Sequence, residues 1–183
     1  MNHPLPIQPP TQTSTTSHGA LRAVDLFAGW GGFSQAAEQV GVRVVYAANH
    51  WPLAVRAHAA NHPHTLHECQ DLRQADFTKL PAYDILLAAP ACQGHSTAAR
   101  PSRLNHEHVR RTHDALRATA WAVTDCLDAT RPTAFVVENV PAFLRWELFP
   151  VWRESLRVLG YRLTMFRLNA ANYGVPQTRE RLF

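Results

Sequence analysis

Apolar runs of strand length alternate with stretches of helical spacing from residue 21 onward. "RAVDLF" (22–27), "VRVVYAA" (42–48), "YDILLAA" (83–89), "AFVVENV" (134–140) and "RLTMFRLNA" (162–170) read as strands. The third and fourth of these are of fully buried type. Helical spacing covers 31–40, stopping at Gly41, and 52–62, starting at Pro52. It recurs at 112–130, with Pro132 just beyond, and at 148–160, ending on a glycine cap. Short strands alternating with helices predict an α/β fold: a doubly wound, mostly parallel sheet covered on both faces. Residues 1–20 are rich in Pro, Thr and Ser and read as a disordered tail ahead of one domain over 21–183.

In such folds ligands collect at the carboxyl ends of the strands. The unusual residues of this chain stand there: "AGWGG" after the first strand, "NHW" after the second, "PACQGHS" after "YDILLAA", and "ENVPAF" at the end of "AFVVENV". "DLFAGWGGFS" (25–34) is strand, glycine turn, then helix. It is not the G-x-G-x-x-G of dinucleotide sites, which disfavours a nicotinamide oxidoreductase. A nucleoside-type ligand against the turn fits better than a pyrophosphate; the plainer account is a tight turn.

Cys92 follows a buried strand and is flanked by Gln93, Gly94, His95 and Ser96. That position favours a nucleophile over an inert core thiol. His58, His62, His64, His67 and Cys69 form a dense run. A metal site is disfavoured because no second cluster at zinc-finger spacing follows, and a solvated polar face is expected instead. Glu138 and Asn139 close a strand of buried type, where a carboxylate needs a partner or a task. Gln177, Arg179 and Arg181 share one side if "GVPQTRERLF" (174–183) is extended.

Charge adds little: 18 basic against 14 acidic residues give +4, and Lys79 is the single lysine. Arginine suits phosphates and base edges better than lysine does. Three cysteines, Cys69, Cys92 and Cys126, suggest no disulfide framework and a reducing cytoplasm. No apolar run of membrane-spanning length and no signal-peptide core is visible.

Taken in order, "DLFAGWGGFS", "AANHW", "QDL", "PACQGHS", "ENV" and "NYGVPQTRERLF" resemble the DNA (cytosine-5)-methyltransferase family, over residues 22–183. The resemblance implies a Rossmann-like methyltransferase fold and S-adenosylmethionine as cofactor. It implies that Phe27, Gly29, Trp30, Gly31, Gly32 and Pro90 line the cofactor, that Trp51 stacks near its adenine, and that Asp71 accepts from the adenine amino group. Cys92 would be the nucleophile and Glu138 would grip cytosine N3 and the amino edge. Arg179 and Arg181 would hold the flipped base, and Gln93, Ser96, Arg100, Arg103 and Gln177 would meet DNA. The polar stretch 96–111 corresponds to a region that closes over DNA in the family.

Three departures stand out. Ala91 replaces the usual proline before the cysteine, and His50 replaces the acid expected to bond the cofactor ribose. The imidazole lacks the second oxygen of a carboxylate, so weakened cofactor affinity is expected. The resemblance also ends at Phe183, short of the family's later strands and target-recognition region. The core is therefore read as incomplete on its C-terminal side. The implied partner is double-stranded DNA, in a bacterial or phage-infected cytoplasm, with a second polypeptide supplying the recognition region as one possibility. The alternatives are an inactive methyltransferase-like module and a transfer-RNA cytosine-5 methyltransferase.

Overall fold

A computed structural model of the chain describes residues 19–91 and 119–183. Five strands form one parallel sheet: β1 (Arg22–Leu26), β2 (Arg43–Asn49), β3 (Leu66–Cys69), β4 (Ile85–Ala88) and β5 (Ala134–Val137), in the order β3-β2-β1-β4-β5. Four α-helices are described: α1 (Gly32–Gln39), α2 (Pro52–Asn61), α3 (Thr119–Thr130) and α4 (Phe149–Val158). A two-stranded antiparallel pair, β6 (Arg167–Asn169) with β7 (Glu180–Leu182), completes the described elements. None of these helices is long and apolar enough to cross a membrane.

β1 sits at the centre of the order and is buried on both faces from Ala23 to Leu26. Val24 and Leu26 face one core with α3, α4 and the aromatic group Phe143, Trp146, Phe149 and Trp152. Ala23 faces a smaller core with Ala37 of α1, Val44 and Leu87. Helices thus cover both faces, as the alternating pattern predicts. The strand order reverses direction between β1 and β4, so the carboxyl ends of these two strands flank the crevice where a ligand is expected.

Three expectations change. β3 lies inside the histidine-rich run, where no strand is expected from the sequence. Its pattern is mostly exposed, so it carries no apolar signal. β5 is not a buried strand: it is the sheet edge, with Ala134 and Val136 exposed. The expected strand at 162–170 is regular only from Arg167 to Asn169. The helix expected from 112 is described from Thr119 onward; residues 112–118 and the tail to residue 18 lie outside the described residues.

Candidate active site

The crevice is built from the turns that follow β1, β2 and β4. After β1 the backbone makes an unusual bend. Phe27 has φ 60°, a left-handed conformation that a bulky residue adopts at a cost of about 1–3 kcal/mol. Its N-terminal neighbour Leu26 is fixed in the sheet, and Ala28 N–H donates to the Ala48 carbonyl of β2 at 3.1 Å. The strain is therefore held by pairing on both sides, and Phe27 packs half-buried against the main core. Gly29 and Gly32 leave open space where a Cβ would stand.

Trp30 and Trp51 meet edge to face across the first two turns, 5.7 Å between ring centres. Both rings are about half exposed, at 56% and 47%. Two such surfaces left to water at the ligand end of a sheet are suited to an adenine. His50 lies beside them, exposed, and its carbonyl faces the Cys69 thiol. Asp71 caps the short 3-10 turn Leu72–Gln74, accepting from the Arg73 N–H at 3.0 Å. The Arg73 guanidinium also pairs with it, holding the carboxyl down to about 2. Asp71 is thus an anionic acceptor across the physiological range.

Beneath the glycine turn the histidine run is solvated only in part: His64 and Cys69 are exposed, but its other members turn inward. His58 and His62 are buried, at 1% and 4% exposure. Asp25 of β1 accepts from the Ser34 hydroxyl at 2.8 Å; Ser34 lies 3.0 Å from His58 Nε2. His58 Nδ1 faces His67 Nε2 at 2.8 Å. His62 Nδ1 contacts both oxygens of Glu38 at 3.1 Å. His58 of α2 and His62, which follows the helix, turn inward, toward Ser34 and toward Glu38 of α1 respectively. The network joins β1, α1, α2 and β3 under the turn; Asp25 Oδ2 is partnered by Ser34, while Asp25 Oδ1 is buried without a partner. Gly31 is part of it. A Cβ on Gly31 would stand 2.6 Å from His62 Nε2 and 2.8 Å from its Cδ2.

The second half of the crevice lies between the ends of β4 and β5. Glu138 and Asn139 follow β5, and Glu138 N–H donates to the Ala88 carbonyl of β4 at 2.9 Å. Arg181 of β7 places Nε 2.6 Å from Glu138 Oε1. Both side chains are about one-fifth exposed, open enough to meet a ligand. Asn139 is buried and saturates its bonding capacity. Its amide donates to the Pro90 carbonyl at 3.1 Å and its Oδ1 accepts from Val140 N–H at 2.9 Å. Its main chain exchanges bonds of 2.9 and 2.8 Å with Leu182. Ala91 N–H donates to Thr119 Oγ1 at 3.0 Å. The turn that leads to position 92 is thus tied to β5, β7 and α3.

Of the residues expected at the site, Phe27, Trp30, His50, Trp51 and Asp71 gather at one side of the crevice. Pro90, Glu138 and Arg181 gather at the other. Gln177 and Arg179 are exposed and precede β7, which begins at Glu180. Arg179 is held through its main chain, which accepts from Ala170 N–H at 2.9 Å. Cys92, Gln93, Ser96, Arg100 and Arg103 lie outside the described residues. Asn139 as the anchor of the Pro90 turn, and Ser34 and His58 beneath the glycine turn, are not visible from sequence. The adjacency of Asn139 to Glu138 was the available signal for the first.

An exposed aromatic pair, a fixed carboxylate and open glycine backbone make a donor set suited to a nucleoside with an attached amino acid. The residues present fit S-adenosylmethionine on those grounds. His50 fits less well than an acid would.

Residues 21–183 match the family model of the C-5 cytosine-specific DNA methylases. The chain belongs to that family. The Type II methyltransferase M.AgeI of Thalassovita gelatinovora is 29% identical over 174 residues, 89% of this chain and 38% of that protein. M.HgiBI of Herpetosiphon aurantiacus is 32% identical over 172 residues, covering 89% and 36%. The S. pombe Dnmt2 methyltransferase structure superposes with a TM-score of 0.69 at 20% identity, covering 90% of this chain and 48% of that one. The chain therefore spans less than half the length of each of these three proteins.

Proposed function

We propose that this chain is the cofactor-binding and catalytic part of a DNA (cytosine-5)-methyltransferase acting on a flipped cytosine. The observation that carries the reading is the Glu138–Arg181 pair, 2.6 Å apart and open to the crevice, beside the Pro90 turn that Asn139 anchors. Family membership and the cofactor-suited aromatic pair support it.

Cytosine C5 is too weakly nucleophilic to take a methyl group unaided. In this reading the Cys92 thiolate adds to C6, forming a carbon–sulfur bond and pushing the ring electrons toward C5. Glu138 supplies the hydrogen bond or proton at N3 that stabilises this electron shift. Arg181 orients the Glu138 carboxyl and turns its remaining N–H donors to the O2 oxygen. S-adenosylmethionine, when bound, supplies the methyl group as an electrophile. The C5 proton then leaves to solvent base, the C6–S bond breaks, and the thiolate returns. The base must leave the duplex to be reached, which costs roughly a few kcal/mol. Asn139 acts through the Pro90 turn and is a positioning residue. The reaction would take place in the cytoplasm.

Incubation with duplex DNA or transfer RNA and S-adenosylmethionine, followed by nucleoside mass spectrometry, tests the proposal. The expected product is 5-methyldeoxycytidine from DNA, lost in Cys92→Ser and in Glu138→Gln. N4-methyldeoxycytidine, or product from the Cys92→Ser variant, would overturn it. Product from transfer RNA but not DNA would reassign the substrate.

A further inference from the structure

The mechanism leaves one group of buried polar side chains without a task. Asp25, Ser34 and His58 are at most 1% exposed. Asp25 lies on the central strand of the sheet, where a carboxylate is costly unless its oxygens are bonded. Its Oδ2 accepts from Ser34 Oγ at 2.8 Å, while Oδ1 has no partner among the described residues. Ser34 Oγ lies 3.0 Å from His58 Nε2, and His58 Nδ1 lies 2.8 Å from His67 Nε2. Glu38 of α1 faces His62 instead, whose ring packs 4.6 Å from that of His58.

The proton count along this series sets its direction. A serine hydroxyl carries one proton. Ser34 gives that proton to Asp25, so toward His58 its oxygen can only accept, and His58 Nε2 carries the hydrogen. A neutral imidazole protonated at Nε2 has its lone pair at Nδ1. The 2.8 Å contact is then a donation from the Nε2–H of His67. Burial first, then the neighbouring His58, hold the His67 imidazole below its ordinary 6.5, which keeps that ring neutral at physiological pH. Each group thus gives its proton the same way, from partly exposed His67 on β3, through α2 and α1, to Asp25 on β1. The carboxylate fixes the direction, because an ionised carboxyl accepts and cannot donate.

The last bond of the series closes the glycine turn. Asp25 stands two residues before the strained Phe27, and Ser34 two residues after Gly32. No side chain caps α1, whose N-cap is Gly31. The Ser34–Asp25 bond therefore ties the first turn of α1 to β1 across the base of the glycine turn. His58 holds the Ser34 oxygen from the other side, and its Cδ2 stands 3.2 Å from where a Cβ on Gly31 would be. We propose that Ser34 and His58 are positioning residues for S-adenosylmethionine: through this one-way series they fix the backbone that receives the cofactor, without touching it. The inference rests on the cofactor reading of the turn given above.

Two measurements on the full chain test it. Nitrogen NMR of the imidazoles at neutral pH, without ligand, should show His58 and His67 both protonated at Nε2 and bare at Nδ1. Neutral His58 protonated at Nδ1 instead would overturn the inference. Calorimetric titration with S-adenosylmethionine should show binding weakened roughly tenfold or more in Ser34→Ala and in His58→Leu, the loss expected for an unmade buried bond. His58→Gln sets an amide N–H where the Nε2–H stood and should bind within about threefold of the native chain. A histidine that merely filled space would let leucine serve as well as glutamine. That result would overturn the inference, as would native affinity in Ser34→Ala. The tautomers are read on the native chain, so a variant that fails to fold does not remove the test. Absence of binding by the native chain would refute the cofactor reading and the positioning role with it, whereas native binding that the variants leave unaltered would refute the positioning role alone.

Discussion

Replacing Gly31 by alanine separates two demands on the turn after β1. The residue has φ 96° and ψ 21°, a left-handed conformation that costs an L-residue about 1–2 kcal/mol. The new methyl would also stand 2.6 Å from His62 Nε2, inside any real contact distance. His62 cannot move freely, because it is buried and bonded to Glu38. Forcing a methyl into such a site costs about 1–3 kcal/mol more. The expected loss is therefore about 2–5 kcal/mol, read as a fall in the urea midpoint at constant slope, followed by tryptophan fluorescence. Repeating the substitution in a His62→Ala background removes the two shortest contacts and leaves the backbone part, with only a milder 3.2 Å approach to His58 Cδ2. The cost of Gly31→Ala should then fall to about 1–2 kcal/mol, a coupling of about 1–3 kcal/mol in the double-mutant cycle. The same cost in both backgrounds would refute the reasoning that His62 is why position 31 is glycine.

Asn139→Leu leaves the Pro90 carbonyl and the Val140 N–H without their partner; unmade buried bonds of this kind cost about 1–3 kcal/mol each, measured as a lowered urea midpoint. His50→Glu restores a carboxylate beside the exposed tryptophans and should tighten S-adenosylmethionine binding roughly tenfold by calorimetric titration, about 1.4 kcal/mol; unchanged or weaker binding would count against the ribose role. Burial first, then the neighbouring His58, push the His67 imidazole below its ordinary 6.5. The folded state therefore resists protonation: stability is full above 6.5 and declines as pH falls below it, because the unfolded chain takes up the proton more readily. Urea midpoints across that range should show a decline that His67→Gln makes shallower, and an unaltered slope would argue against it.

The parallel sheet and the glycine turn were legible because apolar runs and helical spacing alternate without interruption from residue 22. β3 was not legible, since Leu66, Glu68 and Cys69 are exposed and a strand with neither face buried leaves no period-two signal. β5 misled in the opposite direction. "AFVV" reads as buried, yet its outer edge faces a groove, and a sequence records a residue's suitability for burial rather than the neighbour that buries it. The histidines misled through chemistry: polar rings read as solvated, whereas His58, His67, Ser34 and Asp25 partner one another inside. Glu138 was read correctly as an acid needing a partner, because the physics of a carboxylate at a strand end is local. That its partner is Arg181 and not Arg179 depends on where β7 begins, which no local pattern states.

In the proposed reaction Cys92 attacks cytosine C6, with Glu138 and Arg181 holding the base. Duplex DNA carrying 5-fluorocytosine, mixed with the protein and S-adenosylmethionine, tests it most directly, since fluorine at C5 cannot leave as a proton does and the adduct persists. The account predicts a covalent protein–DNA complex that forms with the native chain, is weakened by Arg181→Ala, and is absent in Cys92→Ser. A complex of equal yield in Cys92→Ser would contradict it.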